Sequence, residues 1–357
     1  MSTARYTPAP GVTYLDTATY GLPPDTALAA IHRALAAWAD GTGRWIDDWD
    51  REGDACRQLA ARLLHASPED VALLPAVSVA SALAATLVPD GGEVLVVEDD
   101  FASVTWPLLA LGERRGLVVR RAAFSALADA VTPSTCLVAA SHVHSVTGAV
   151  LDTVAVAAAA HRAGAAFYLD ASQSLGVIPC PVETVGADLV ACAAYKWLCC
   201  PRGVAFLHVA PRMRERVVPL AASWRAAADP YGSFHDPELS LAPTAARFDV
   251  SLAWHAWVGA RPALEALLAI DDQERFERAH SVSCHLADLL EVPRPVGPIL
   301  SVPVRPTAMD ALRDARIRVA VRGGRVRISP HFYNTRADAE RAAAILDRHL
   351  VREGART

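Results

Sequence analysis

From Val94 onward, short apolar runs alternate with longer stretches in which apolar residues recur at helical spacing. Val94–Val97 reads as a strand, Trp106–Arg114 as a helix and Leu117–Arg120 as a strand. Cys136–Ser141 follows as a strand and Val154–Ala163 as a helix, with Phe167–Asp170, Leu189–Ala193 and Val204–Val209 as further strands. Strands alternating with helices of about ten residues make βαβ units, so the fold class is α/β with a mainly parallel sheet. Upstream, LLPAVSVASALAA reads as a turn leading into an alanine-rich helix.

The pattern changes after Ser223–Arg247, a proline-rich, aperiodic stretch read as an ordered loop or connection. Helices are expected over Trp254–Ile270 and Glu274–Leu290. They are followed by strand Ile299–Val304, helix Ala308–Arg313, strands Ile317–Val321 and Val326–Ser329, and helix Arg336–Leu350. This is a small α+β unit. The expected division is a large domain over 14–245 and a small domain built from 1–13 and 246–357.

Composition narrows the classes. The chain has 357 residues, 52% of them hydrophobic and 20% charged, so it can bury a substantial core. A net charge of -5 implies no basic face, which argues against nucleic acid as a partner. The longest apolar runs are alanine-rich and broken by polar residues, and the first residues have no apolar signal core, so no membrane partner is expected. The seven cysteines form no CxxC pair with metal spacing, so no metal is expected and a reducing cytoplasm is read.

In a sheet of this kind ligands gather at the carboxyl ends of strands. His142, Asp170 and Lys196 all fall just past such ends. Nearly all of the 34 Lys+Arg are arginine, so a lysine set among small apolar residues in ACAAYKWLCC stands out. A strand ending in a carboxylate, with a lysine at the end of the next strand, suits pyridoxal 5'-phosphate (PLP). The lysine forms a Schiff base with the aldehyde, and Asp170 pairs with the protonated pyridine nitrogen so that the ring stays an electron sink. Gln173, three residues on, is placed to donate to the ring's phenolate oxygen.

The run YLDASQSLGVIPCPVETVGADLVACAAYKWLCCPRGVAFLHV resembles the cofactor core of class V aminotransferase-fold enzymes. This PLP-dependent fold type I group includes cysteine desulfurases, kynureninases, isopenicillin-N-epimerase-like proteins and ergothioneine C–S lyases. TYLDTATYGLP resembles the group's N-terminal motif, SHVHSVTG its ring-stacking motif and RVRISPHFYNT its carboxylate-anchor motif, in order from about Tyr14 to Leu350. The resemblance implies a large domain with a seven-stranded-type sheet, a small C-terminal domain, and a homodimer with shared active sites.

Carried over residue by residue, the resemblance gives Lys196 as the Schiff-base lysine, Asp170 as the pyridinium partner and Gln173 as the phenolate donor. His142 is the histidine that stacks on the ring, a catalytic position from which an imidazole can also shuttle a proton, and is preferred over His144; Ser145 stands where many relatives have asparagine. Asp170 also suits a helix N-cap for SQSLG. Ser78 and Val79 open a helix whose exposed amides would cradle a phosphate, with Ser81 nearby. Tyr195 resembles the tyrosine that reaches the phosphate in kynureninase-like members. Ser251, in RFDVSLAWHAW, is the donor expected to reach the partner subunit's phosphate. Arg327 matches the arginine that clamps the substrate α-carboxylate, with Arg322 and Arg325 as competitors, because Arg325 and Arg327 share a face in a period-2 reading.

Cysteine desulfurases carry a loop with a nucleophilic cysteine just before the anchor motif. Here IRVAVRGGRVRIS passes directly through that region without a cysteine. The expected chemistry runs through an external aldimine of a small amino acid. It leans to a β-eliminating C–S lyase and away from a persulfide-forming desulfurase. A class V aminotransferase or amino-acid epimerase is the alternative, and a non-catalytic PLP-binding protein the alternative of another class.

Overall fold

A computed structural model describes residues 4–352 of the chain. Residues 1–3 and 353–357 of the expected small domain lie outside the described residues. The elements of the N-terminal part run β1 (Thr13–Tyr14), α1 (Asp25–Ala39), α2 (Glu52–Leu64), β2 (Val71–Leu74), α3 (Val77–Ala85), β3 (Glu93–Val97), α4 (Ala102–Arg115) and β4 (Val118–Ala122). They continue with β5 (Thr135–Ser141), α5 (Thr153–Arg162), β6 (Ala166–Asp170), α6 (Val182–Val185), β7 (Leu189–Ala193), β8 (Ala205–Val209) and α7 (Trp254–Leu268).

Seven strands form one sheet in the order β2-β8-β7-β6-β5-β3-β4. The five from β7 to β4 are parallel, while β8 runs antiparallel to both β7 and β2. Strands β6 and β7 are buried along their whole length, which is why they read as unbroken apolar runs instead of alternating ones. Alternation reappears as a choice of layer. Phe167 and Leu169 enter one apolar cluster with residues of α2, α5 and α7; Tyr168 enters the other with residues of α3 and α4.

Several boundaries differ from expectation. Helix α4 starts at Ala102, ahead of Pro107, instead of at Trp106. A proline there has no N–H for the carbonyl of Ser103, four residues earlier. The Ser81 hydroxyl donates to that carbonyl at 2.9 Å, which is how the helix tolerates Pro107. The strand expected from Leu117 begins at Val118, after Gly116 closes α4 in the left-handed region with φ 67.

The small unit comprises α8 (Asp272–Leu289), β9 (Leu300–Pro303), α9 (Ala308–Asp314), β10 (Ile317–Arg318), β11 (Ala320–Arg322), β12 (Arg325–Ile328) and α10 (Arg336–Leu346). The single strand expected over Ile317–Val321 is two strands, because the chain changes partner: β10 pairs parallel with β1, and β11 pairs antiparallel with β12. The expected helix from Arg336 ends at Leu346 and continues as a 3₁₀ turn over Asp347–His349. The expected boundary at 245 assigns α7 to the small domain, whereas α7 packs with elements of the large one. Trp257, Ala260, Leu264 and Leu267 of α7 share an apolar cluster with Cys56 and Ala60 of α2 and Phe206 of β8. Leu15, beside β1, packs instead with Leu286, Val302 and Ile328 of the small unit.

Candidate active site

The parallel strands β5, β6 and β7 end at one edge of the sheet, with Ser141 opposite Asp170 and Asp170 opposite Ala191. Lys196 lies three residues past the end of β7 and is only 7% exposed. It is also the chain's only lysine. Among the described residues its ammonium has no hydrogen-bond or ion-pair partner, and the Phe101 ring lies 5.3 Å from Nζ to centroid. Burial pushes its pKa down, with Asp170 opposing that shift. The turn bearing Lys196 is pressed against the N-terminal segment: Gly21 donates to the Tyr195 carbonyl at 2.8 Å. A Cβ on Gly21 would lie 2.2 Å from the Lys196 carbonyl, so only glycine fits at that point of TYGLP.

Asp170 is buried, and burial raises its pKa. The Ser172 amide and hydroxyl donate to its Oδ1 at 2.8 and 2.5 Å and, with Lys196, favour the anion. A second, half-buried carboxylate that the pattern did not flag, Asp100, accepts from the Ser141 amide at 2.7 Å, the Ser141 hydroxyl at 2.5 Å and the Phe101 amide at 2.7 Å.

His142 follows β5 directly. Its amide donates to the Asp170 carbonyl at 2.9 Å and its Nδ1 pairs with the Ser174 hydroxyl at 2.9 Å. Burial pushes this imidazole down to about 4, so it is neutral at pH 7. His144 is held by Thr147, with Nδ1 3.1 Å from the Thr147 hydroxyl. Gln173 is fixed at both ends: its Nε2 donates to the Ala18 carbonyl at 3.0 Å, and its Oε1 accepts from the Trp197 indole at 2.9 Å.

A cavity of about 140 Å³ opens beside Lys196, lined by Asp170, Tyr195, Ser78 at the start of α3, and Phe101 and Ser103 at the start of α4. No side chain caps either helix. Arg202, which sequence reasoning missed, lines it too. Val79 faces an adjoining cavity with Pro219 and Val250, which Ser78 also lines. Ser81 bonds Tyr168 at 2.9 Å, away from both. Ser251 is exposed and does not line the Lys196 cavity.

The three candidate arginines separate. Arg327 is 2% exposed; it donates to the Ser145 carbonyl at 2.8 Å and the Thr19 hydroxyl at 2.9 Å, and lies 3.7 Å from Asp16. Its Nε is buried without a partner, and burial pushes its pKa down to about 10. Arg325 is engaged by Ser301 of β9, at 2.7 Å to the carbonyl and 3.1 Å to the hydroxyl. Arg322 is exposed at the hairpin tip. Arg327, and not Arg325, is therefore the buried cation with donor capacity to spare. It contacts Ser145 through the backbone carbonyl, so the side chain at that position makes no part of the contact.

All seven cysteines are free thiols. Five are buried, and burial raises the pKa of Cys199 and Cys200. Among the described residues no cluster suits a metal ion, and no helix is long and apolar enough to cross a membrane.

The family model described as Aminotransferase class-V matches residues 13–292. An uncharacterized aminotransferase, YcbU, of Bacillus subtilis is 28% identical over 309 residues, covering 79% of this chain and 80% of that protein. The isopenicillin N epimerase of Amycolatopsis lactamdurans is 27% identical over 334 residues, covering 81% of this chain and 83% of its own. Among solved structures, the complex of the cystine C–S lyase C-DES with its product cysteine persulfide superposes with a TM-score of 0.87. It is 20% identical and covers 97% of this chain and all of that one. The Escherichia coli cysteine desulfurase CsdA superposes with a TM-score of 0.80 at 19% identity, covering 95% and 94%. At these identities the structures establish the fold.

Proposed function

Because the chain belongs to the aminotransferase class-V family, we propose that it is a PLP-dependent enzyme acting at Cα and Cβ of a small amino acid, by β-elimination of a sulfur or similar leaving group. The observation that carries this is Lys196: a nearly buried, unpartnered lysine facing a cavity that also holds a buried carboxylate, Asp170. An amine whose pKa burial lowers gives up its proton more readily, and the free base can both attach to an aldehyde and take a proton from Cα. Bound PLP supplies that aldehyde and a ring that withdraws electrons from Cα.

The chain's own residues divide the remaining work. Asp170, steadied by Ser172, holds a negative charge for the ring nitrogen. Gln173 and His142 are locked beside it and shape the ring's berth. Ser78 and Tyr195, which line the Lys196 cavity, serve the phosphate end, and Val79, whose side chain lines the adjoining cavity, contributes there at most its backbone amide. Arg327 offers its guanidinium to the substrate carboxylate, fixed in place by Ser145 and Thr19. His142, buried and about 4 in pKa, is a poor second base, which weighs against two-base epimerisation.

A persulfide route is disfavoured for two reasons. The β11–β12 connection is the two-glycine turn Gly323–Gly324, with no cysteine on it. The buried thiols are also poor nucleophiles because burial keeps them protonated. Ser251, exposed and outside its own chain's Lys196 cavity, supports a homodimer in which it reaches the partner's site. Seven unpaired cysteines support a cytoplasmic setting.

The deciding experiment supplies amino acids and cysteine conjugates to the PLP-loaded enzyme and assays keto acid, ammonia and thiol. Keto acid, ammonia and thiol together mean elimination. Keto acid that requires an acceptor means transamination, inversion alone means epimerisation, and no spectral change with any substrate means a non-catalytic binder.

A further inference from the structure

Lys196 shares its cavity with a second cation that the groups above leave unused. Arg202 lies in the Pro201–Gly203 bend that leads into β8. Its guanidinium carbon is 5.3 Å from the centroid of the Tyr195 ring. Among the described residues it has neither a carboxylate within ion-pair distance nor a hydrogen-bond partner.

The surroundings of Arg202 suit an anion. Ser78 and Ser103 are each the second residue of a helix, nine residues long for α3 and fourteen for α4, and both line the cavity. With no side-chain cap on either helix, amides of two first turns are left facing the same space. Lys196, more than nine-tenths buried and unpartnered, lines it as well, so its amine and the two helix starts meet at one cavity. The two carboxylates nearby are already engaged, Asp170 by Ser172 and Asp100 by Ser141 and Phe101.

Resting on the cofactor reading above, we propose that Arg202, steadied over the Tyr195 ring, is the cationic ligand of the cofactor's phosphate, in a site that one chain supplies from Arg202, Ser78, Ser103 and two helix starts. A guanidinium offers a planar pair of donors to two phosphate oxygens, and helix starts favour a dianion. The tyrosine ring restrains the arginine through a cation–π contact. The phosphate end then needs no cation from a partner subunit.

The test titrates the cofactor-free protein with PLP and, separately, with pyridoxal, which keeps the aldehyde and lacks the phosphate. The visible chromophore reports both. Wild type should prefer PLP strongly. Arg202→Gln should weaken PLP about 10- to 150-fold, as for loss of a hydrogen bond to a charged group, and leave pyridoxal unchanged. Arg202→Lys, which keeps the charge and loses the planar pair of donors, should keep only part of the preference. Inorganic phosphate should compete with PLP less well in Arg202→Gln than in wild type. An unchanged ratio of PLP to pyridoxal affinity in Arg202→Gln, or an equal fall in both, would overturn the assignment while leaving the cofactor reading intact. A wild-type chain that binds neither aldehyde would overturn both.

Discussion

A lone lysine in a chain otherwise supplied with arginine has a practical consequence at the residue scale. Borohydride reduction of the PLP-loaded protein should fix cofactor at Lys196, and Lys196→Ala should lose both colour and adduct. With no second lysine, an adduct remaining in the variant must sit on the N-terminal amine, and finding it there would sink the assignment. Arg327 makes a separable prediction. Arg327→Ala should leave cofactor binding intact and raise the amino-acid KM roughly thirty- to a thousand-fold, about 2–4 kcal/mol for a bidentate charged contact. Arg327→Lys should recover part of it. An unchanged KM would pass the role to Arg322, because Arg325 is already held by Ser301.

At the scale of elements, the cysteines next to the lysine turn are the sharpest case. Cys199 has φ 54 and closes the turn by donating its amide to the Lys196 carbonyl at 3.1 Å, so the chain there is heading away from the cavity toward β8. Replacing Cys199 and Cys200 together by alanine should leave most activity in place. A protein-bound sulfur detected by mass on any cysteine during turnover, with loss of activity when that cysteine is replaced, would reverse the view of the route. The opposite hairpin is equally constrained: Gly323 has φ 53, and a Cβ there would lie 2.9 Å from Val146. Strands β5 to β7 and their terminal residues were legible because a buried strand leaves an apolar run and its end leaves a polar break. Helices α1 and α2 were not: α1 is largely exposed and buries only alanines, and the buried positions of α2 include Gly53, Arg57, Ala60 and Ala61, which make a weak apolar stripe. Arg202 gave no signal among so many arginines; only the fold brings it beside Ser78 and Ser103.

For the whole molecule, pH acts through buried histidines. His142 and His208 are pushed down to about 4 and His331 to about 3, from an ordinary value of 6.5, mainly by burial. The unfolded chain therefore takes up more protons between those values. The contribution to stability is full above 6.5 and is lost as pH falls toward 4. Buried Asp170 and Asp249, raised by burial, work in the opposite direction. A comparison between variants isolates the histidine part. His208, on β8 far from the substrate groups and near Asp70, Arg212 and Arg214, is the clean site. His208→Gln should flatten the fall in unfolding free energy between pH 6.5 and 4, by up to about 3 kcal/mol. Identical pH profiles for the two proteins would refute it. The homodimer is a claim at this scale as well, and sedimentation showing a stable, active monomer would count against it.

The pairing of β1 with β10 sets an order of assembly during synthesis. Thr13 meets Ile317 and Asp16 meets Ser329, so the first strand to leave the ribosome waits for nearly the last. Until then a nascent chain already owns Lys196, Asp170 and Arg202 but lacks Arg327. On the roles proposed above, it would carry the aldehyde-binding groups before the amino-acid-binding one, and β1 lacks its partner strand through most of translation. Early cofactor uptake would then give the growing chain a bound core on which the C-terminal unit closes last.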